Sequence, residues 1–254
     1  MKTRYVETIL GARERPGAYA PPSEDHPLAM ADAYAIQDLV RAALVANGQC
    51  LIGWKAGFTS KAAQDLFQCP EPVSGFLLES GVYPDRAEVP AGRFVRLVVE
   101  AEVALLLKRD LRGPGVTSLM ALDAVRGAAP ALELVDFRHS GTPRGTDVVA
   151  DGVYANAVVL GPTLTDLTGL DLALEGLVYE HNGARVATNT AAEVMGGPIN
   201  SLVWLANHLG NRGIGLQSGQ VVMTGSVSTL VYPKVGDAVR ATYTRLGSVG
   251  VRIV

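Results

Sequence analysis

The sequence predicts an α+β domain with a curved or barrel-like sheet. Many short apolar β-runs are punctuated by Gly turns, and about three or four stretches carry helical periodicity. A third observation is chemical: "VVEAEVALLL", residues 98–107, sets Glu100 and Glu102 inside an otherwise apolar run without Lys or Arg between them.

The elements follow in order. "MKTRYVETILGARERPGAYAPP" scatters charges and lacks the apolar core of a secretion signal, so residues 1–27 are expected as a partly mobile N-terminal segment, with "GARERPG" solvated. In "ADAYAIQDLVRAALVAN", Ile36, Val40, Ala43 and Leu44 share one helical face, and Gly48 stands at the C′ position. "CLIGWKAGFTS" reads as a short strand entering a Gly turn. Residues 70–96, rich in Pro, Gly and mixed charge, read as loops and short strands. After the acidic strand, "RDLRGPG" breaks the structure, and "TSLMALDAVRGAA" reads as a helix capped by Thr117 or Ser118. "PALELVDF" is a second buried strand with a carboxylate, Glu133, and 139–147 form a loop. "GVYANAVVLG" is β-like, and "LDLALEGLVYEHNGARVAT" reads as a strand, an Asn182-Gly183 turn and a returning strand. Ile199, Leu202, Val203, Ala206 and Leu209 mark a helix, and the last forty residues alternate β-runs with Gly turns. No repeat or linker divides residues 28–254, which are expected to form one domain.

Composition narrows the class of function. The 254 residues are 48% hydrophobic and 19% charged, with a net charge of −3. Without a basic run, nucleic acid is an unsuitable partner. No apolar stretch approaches the ~18 residues of a spanning helix. Cys50 and Cys69 lack metal-ligand spacing and fit a reduced, cytoplasmic protein.

The chemistry rests on the acids. Period 2 points Glu100 and Glu102 to one face of their strand, with apolar residues on both faces. Three readings are open: an edge strand with both acids in solvent, an acid/base dyad with one acid protonated, or a divalent metal between carboxylates. Glu133, in a second apolar strand, favours the third, because one Mg²⁺ or Mn²⁺ ion accounts for all three acids together. A dyad leaves Glu133 idle. Lys55 in "GWKAGFTS" is open to two readings, a lysine snorkelling from a strand end and a catalytic one. His26, His139, His181 and His208 read as ordinary.

"IGWKAGFTS", "VEAEVALLLKRDL", "PALELVDFR", "GGPINSLVWLANHL" and "VVMTGSVSTLVYPKVGD" resemble, in order and spacing, the 2-oxopent-4-enoate hydratase and 4-oxalocrotonate decarboxylase branch of the fumarylacetoacetate hydrolase superfamily. The resemblance runs from about residue 28 to residue 254. It implies a mixed β-roll or barrel with peripheral helices, Mg²⁺ or Mn²⁺ on Glu100, Glu102 and Glu133, and Lys55 as the active-site lysine. It also implies a metal-dependent lyase acting on 2-oxo or 2-hydroxy-enoic acids in aromatic catabolism. The expected reaction is hydration, with decarboxylation of a 2-oxo acid as the alternative. Homo-oligomers are common in the branch, and a catalytically altered subunit paired with a hydratase or decarboxylase is the third possibility.

This chain departs from the branch at two places. "PVSG" puts Val73 where hydratases carry an acid, and "DGVY" puts Gly152 and Tyr154 where they carry Asn and Ser, while Asp151 is retained. Glu71 and Tyr154 are the candidate replacements, which adds them to Lys55 as catalytic candidates. Thr224, Ser226 and Asp151 are the substrate-binding candidates. These departures predict poor hydration of simple 2-hydroxypenta-2,4-dienoate, and either a diacid that loses CO₂ or a larger enoate as substrate.

Overall fold

The computed structural model describes residues 2–25 and 27–254, so His26 lies outside the described residues. Helices α1 (Lys2–Glu14), α2 (Pro22–Asp25) and α3 (Met30–Ala46) lead into β1 (Leu51–Gly57), α4 (Lys61–Leu66) and β2 (Val73–Leu78). The short β3 (Val82–Pro84) and β4 (Ala87–Val89) precede the long β5 (Leu97–Leu107). Next come α5 (Ser118–Ala124), β6 (Val125–Asp136), α6 (Gly145–Ala150) and β7 (Ala155–Leu160). The hairpin of β8 (Gly176–His181) and β9 (Ala184–Thr190) is followed by α7 (Pro198–Asn211). Then follow β10 (Val221–Ser226), β11 (Ala238–Tyr243) and β12 (Gly247–Ile253).

The strands form two mixed sheets, ordered β2-β1-β10-β5-β6-β7-β3 and β4-β12-β11-β8-β9. The larger sheet curls until β2 packs beside β7. Its ends remain β2 and β3, so among the described residues neither sheet closes into a barrel. Leu77, Ala104, Ala131, Ala155, Val158 and Met223 pack together. They come from strands across the whole large sheet, and therefore fill the inside of its curl. The outward face, with Trp54, Val103, Leu105, Leu132 and Leu134, joins the main core.

Strand alternation decides what enters the curl. In β5, Val99, Ala101, Val103 and Leu105 face the main core, while Glu100 and Glu102 share the inner face with Ala104. β5 lies between β10 and β6, which overturns the solvent-edge reading of its acids. Antiparallel register places Glu100 directly opposite Glu133 and Glu102 opposite Ala131.

Local signals hold in several places. Gly48 takes φ +87° after α3, Thr117 caps α5 by accepting from Met120 N, and Asn182 and Gly183 take φ +53° and +75° in the hairpin turn. The helix expected over 117–129 stops at Ala124, because the following residues pair with the full length of β5. Gly127 serves the strand: a Cβ there would stand 2.7 Å from the Thr165 carbonyl oxygen. The loop expected at 139–147 turns helical from Gly145.

Within the stretch expected to be solvated, Glu14, Arg15, Pro16 and Gly17 are exposed, whereas Ala12 and Arg13 are drawn inward. Tyr5, Ile9 and Ala12 of α1 are buried, and α1 packs on α3. Arg13 turns inward and donates to the carbonyls of Asp151 and Ala155.

Candidate active site

Three strands bring the charged groups together inside the curl. Lys55 on β1 is 3% exposed, and Glu102 on β5 and Glu133 on β6 are 0% exposed. Glu100 is half-buried. One carboxylate oxygen from each glutamate lies within 4.8 Å of the others. Lys55 Nζ stands 2.6 Å from Glu133 Oε1 and donates to the Val153 carbonyl at 3.2 Å. The Gly225 N–H donates to Glu102 Oε2 at 2.8 Å. Glu102 Oε1 and Glu133 Oε2 have no hydrogen-bond partner among the described residues.

Charge balance is poor here. Three carboxylates face one ammonium, and two buried oxygens are left without a donor, an arrangement costly to desolvate. Burial, with Glu133 nearby and Lys55 opposing, pushes the Glu100 carboxyl up to about 7. Burial and the other two glutamates hold Glu102 well above the usual carboxylate range. Burial alone would lower the Lys55 ammonium, but the facing carboxylates outweigh it and hold it above its ordinary value. A hard divalent cation fits this donor set, since it would supply both the missing charge and a partner for the idle oxygens.

Glycine lets the neighbouring turn approach. Gly75 pairs with Lys55 across β1 and β2, and a Cβ there would stand 2.6 Å from the Gly152 carbonyl oxygen. The turn at 152–154 thus descends on Lys55 with three successive left-handed residues, Gly152, Val153 and Tyr154, at φ +89°, +57° and +57°. For a β-branched Val and a Tyr this is a strained backbone of the kind that clusters at functional sites. It aims Tyr154 into a cavity of about 420 Å³ that Lys55 and Glu100 also line. The β-run expected from Gly152 therefore begins only at Ala155. A larger groove of about 600 Å³, lined by Arg13, Leu44 and Arg93, lies away from the carboxylates.

The other candidates separate cleanly. Ser226 lines the cavity, its hydroxyl donating to the Ser228 carbonyl. Thr224 is fully buried, gives its hydroxyl to the Val103 carbonyl at 2.8 Å and does not line the cavity. Glu71 is exposed in the turn before β2 and is also outside the lining, while Val73 is buried in the main core. Asp151 sits behind the cavity wall in a second charged cluster. Arg138, 0% exposed, ion-pairs with Asp151 and with Asp136, and the Tyr19 hydroxyl donates to Asp151. Arg13 Nη2 stands 3.7 Å from Asp151 Oδ1. Burial would raise the Asp151 carboxyl, but Arg138 and Arg13 hold it below its ordinary value.

His139, read as ordinary, has its Nδ1 2.6 Å from the Tyr154 hydroxyl. Burial holds the imidazole below its ordinary value and the phenol above. Both groups are therefore neutral near pH 7. Arg138 and His139 escaped sequence reasoning, although "VDFRH" alternates acid and base at a strand end.

The sequence pattern of the fumarylacetoacetate (FAA) hydrolase C-terminal family matches residues 53–254. The chain belongs to this family. Its hydratase and decarboxylase branch is marked by relatives along nearly the whole chain. The 2-hydroxyhexa-2,4-dienoate hydratase of Comamonas testosteroni is 36% identical over 92% of this chain and 89% of its own. The 4-oxalocrotonate decarboxylase of Pseudomonas putida is 33% identical over 91% and 89%. The solved 4-oxalocrotonate decarboxylase from Pseudomonas putida G7, complexed with magnesium and adipate, matches at a TM-score of 0.96 and 30% identity. That match covers 100% of this chain and 97% of the other. Among the described residues, no helix of this family member is long and apolar enough to cross a membrane.

Proposed function

We propose that this family member is a divalent-metal-dependent lyase acting on a 2-oxo or 2-hydroxy-enoic acid, with hydration as its reaction. One observation carries the reading: three clustered carboxylates, two of them buried with idle oxygens and Glu100 half-buried, face a single lysine at the wall of an apolar cavity. The magnesium bound by the solved relative supports it. Glu100, Glu102 and Glu133 would hold Mg²⁺ or Mn²⁺. Such an ion supplies Lewis-acid stabilisation of the negative charge that develops on a 2-oxo acid's oxygens.

The chain's own groups do the rest. Lys55, held cationic by its neighbours and lining the cavity, would add positive charge beside a bound 2-oxo acid and carry a proton there. Tyr154, which stands where the sequence lost its Ser group, would present its phenol to a water or substrate oxygen in the cavity, with the neutral His139 ring fixing the hydroxyl's orientation at 2.6 Å. Phe58 and Phe137 exclude bulk water from the cavity. Ser226 is the remaining substrate-facing hydroxyl of the three binding candidates, and Asp151, held by Arg138, would act as a positioning residue by anchoring the 152–154 turn that carries Tyr154. All these groups lie in 28–254, the proposed catalytic domain.

Decarboxylation is the second reading, favoured by the apolar burial of Val73 where a water-handling acid was expected. A cytoplasmic homo-oligomer belongs to the proposal as well. It is supported by the free thiols of Cys50 and Cys69 and by exposed Leu119 and Leu174. Supplying 2-hydroxyhexa-2,4-dienoate and 4-oxalocrotonate with Mg²⁺ tests the reading, following ultraviolet loss and CO₂ release. Hydration of the dienoate without CO₂ is expected. Release of CO₂ from the diacid alone would install the decarboxylase, and inertness toward both would remove the lyase.

A further inference from the structure

The cavity differs sharply in chemistry between its walls. Away from Lys55 and Glu100, aromatic rings follow one another: Phe58 stacks on Phe67 at 4.8 Å, Phe67 meets Phe137 edge-on at 6.3 Å, and Phe137 lies 4.9 Å from Tyr154. Leu66 and Leu230 complete this apolar side. Among the described residues, Lys55 is the only lysine or arginine in the lining, and its charge already faces Glu133 at 2.6 Å. Exposed Glu193 adds negative charge to the lining. Arg96 stacks over the Phe137 ring at 5.3 Å but is not part of the lining.

We infer that the substrate is a monocarboxylic enoate whose distal arm is an uncharged hydrocarbon chain or ring, and that the cavity rejects acids with a second, distal carboxylate. The inference rests on the proposed lyase reading only in placing the carboxylate and 2-oxo oxygens at the glutamates. A second carboxylate would lose its hydration among aromatic rings, find no free cation and meet the charge of Glu193. A hydrocarbon arm instead gains from every methylene it buries, about fourfold in affinity each. The volume of about 420 Å³ falls in the range that encloses sizeable small molecules, and a short pentadienoate leaves much of it unfilled.

Binding and turnover separate this inference from the reaction itself. With Mn²⁺ present, calorimetry would compare saturated 2-oxo acids of growing alkyl length with chain-matched acids carrying a terminal carboxylate. Dienoates with the same arms would be followed for kcat/KM. Affinity should rise about fourfold per methylene until the cavity fills, with the matched diacids weaker by about 10²-fold. Glu193→Arg should narrow that gap by about tenfold. Diacids binding as tightly as the monoacids would overturn the inference, and loss of that binding in Arg96→Gln would assign the second carboxylate to Arg96. A preference for alkyl arms in binding, with no dienoate consumed, would support the inference while ending the lyase reading. Turnover with diacids preferred would do the reverse. Failure of both series to bind would overturn both.

Discussion

Two buried charged clusters lie on either side of the 152–154 turn, and they are built in opposite ways. Around Arg138, the carboxylates of Asp136 and Asp151 meet guanidinium groups, the Tyr19 hydroxyl and the backbone N–H groups of Val95 and Arg96. Around Lys55, three carboxylates share one ammonium, and two oxygens have no partner among the described residues. In the first cluster both oxygens of Asp136 and of Asp151 have partners within the protein, and the cluster holds the loop behind Tyr154. The second is completed only by something positive from outside. A buried charge cluster thus signals function through its deficit, not through its burial.

Removing the single central cation from each cluster breaks the comparison most directly. Arg138→Met leaves Asp136 and Asp151 buried without their main counter-charge, so it should cost about 3–5 kcal/mol of stability. Urea unfolding measures this, and a cost below about 1 kcal/mol would show that the cluster is not self-contained.

Lys55→Met should behave differently, because burial raises the Glu100 and Glu102 carboxyls and so eases the loss of the ammonium, and an added metal ion supplies charge. With Mg²⁺ present, turnover should fall by about 10²-fold or more, about 2.7 kcal/mol in the barrier, with the melting temperature little changed. Lost stability with activity retained per folded molecule would make Lys55 structural.

Glu102→Gln sharpens the deficit itself. The amide oxygen can keep the Gly225 N–H bond, so the loss falls on the cation. Mg²⁺ or Mn²⁺ should bind tenfold or more weakly by calorimetric titration, about 1.4 kcal/mol. Unchanged affinity in Glu100→Gln, Glu102→Gln and Glu133→Gln would remove the metal reading.

The smallest effect is a pH slope at His139, which bridges the two clusters by bonding Tyr154 and packing its ring 4.5 Å from Tyr19. Burial depresses its native value, and Asp151 and Asp147 only partly oppose that. The unfolded chain protonates near its ordinary value of about 6.5, whereas the folded chain does so lower. Its contribution is therefore complete above about pH 6.5 and is lost as pH falls through the native value. His139→Gln should flatten the decline in urea midpoint between about pH 7 and about pH 5. An unchanged slope would place the acid sensitivity elsewhere.

Much of the site was legible in local pattern. Alternation alone put Glu100 and Glu102 on one strand face, and Glu133 announced itself as an acid between Leu132 and Leu134. Lys55 stood out between the glycines of its strand. Thr117 and Asn182-Gly183 carried their cap and turn because those signals act within a few residues. The roles of Asp151, Thr224 and Glu71 were not legible. A polar residue near a motif looks the same whether it faces a cavity, a buried arginine or solvent.

What the sequence by itself determined was the set of faces: period 2 and period 3.6 are local, and they sort each strand and helix into sides wherever it packs. Only the tertiary structure decided which faces meet. Register between β5 and β6 set Glu100 opposite Glu133, and the curl of the large sheet brought the 152–154 turn onto Lys55. It also paired His139 with Tyr154 and turned Arg138 from the cavity toward Asp151. These contacts join segments far apart in the chain, and their energies depend on desolvation and charge pairing that exist only once the strands have closed around them.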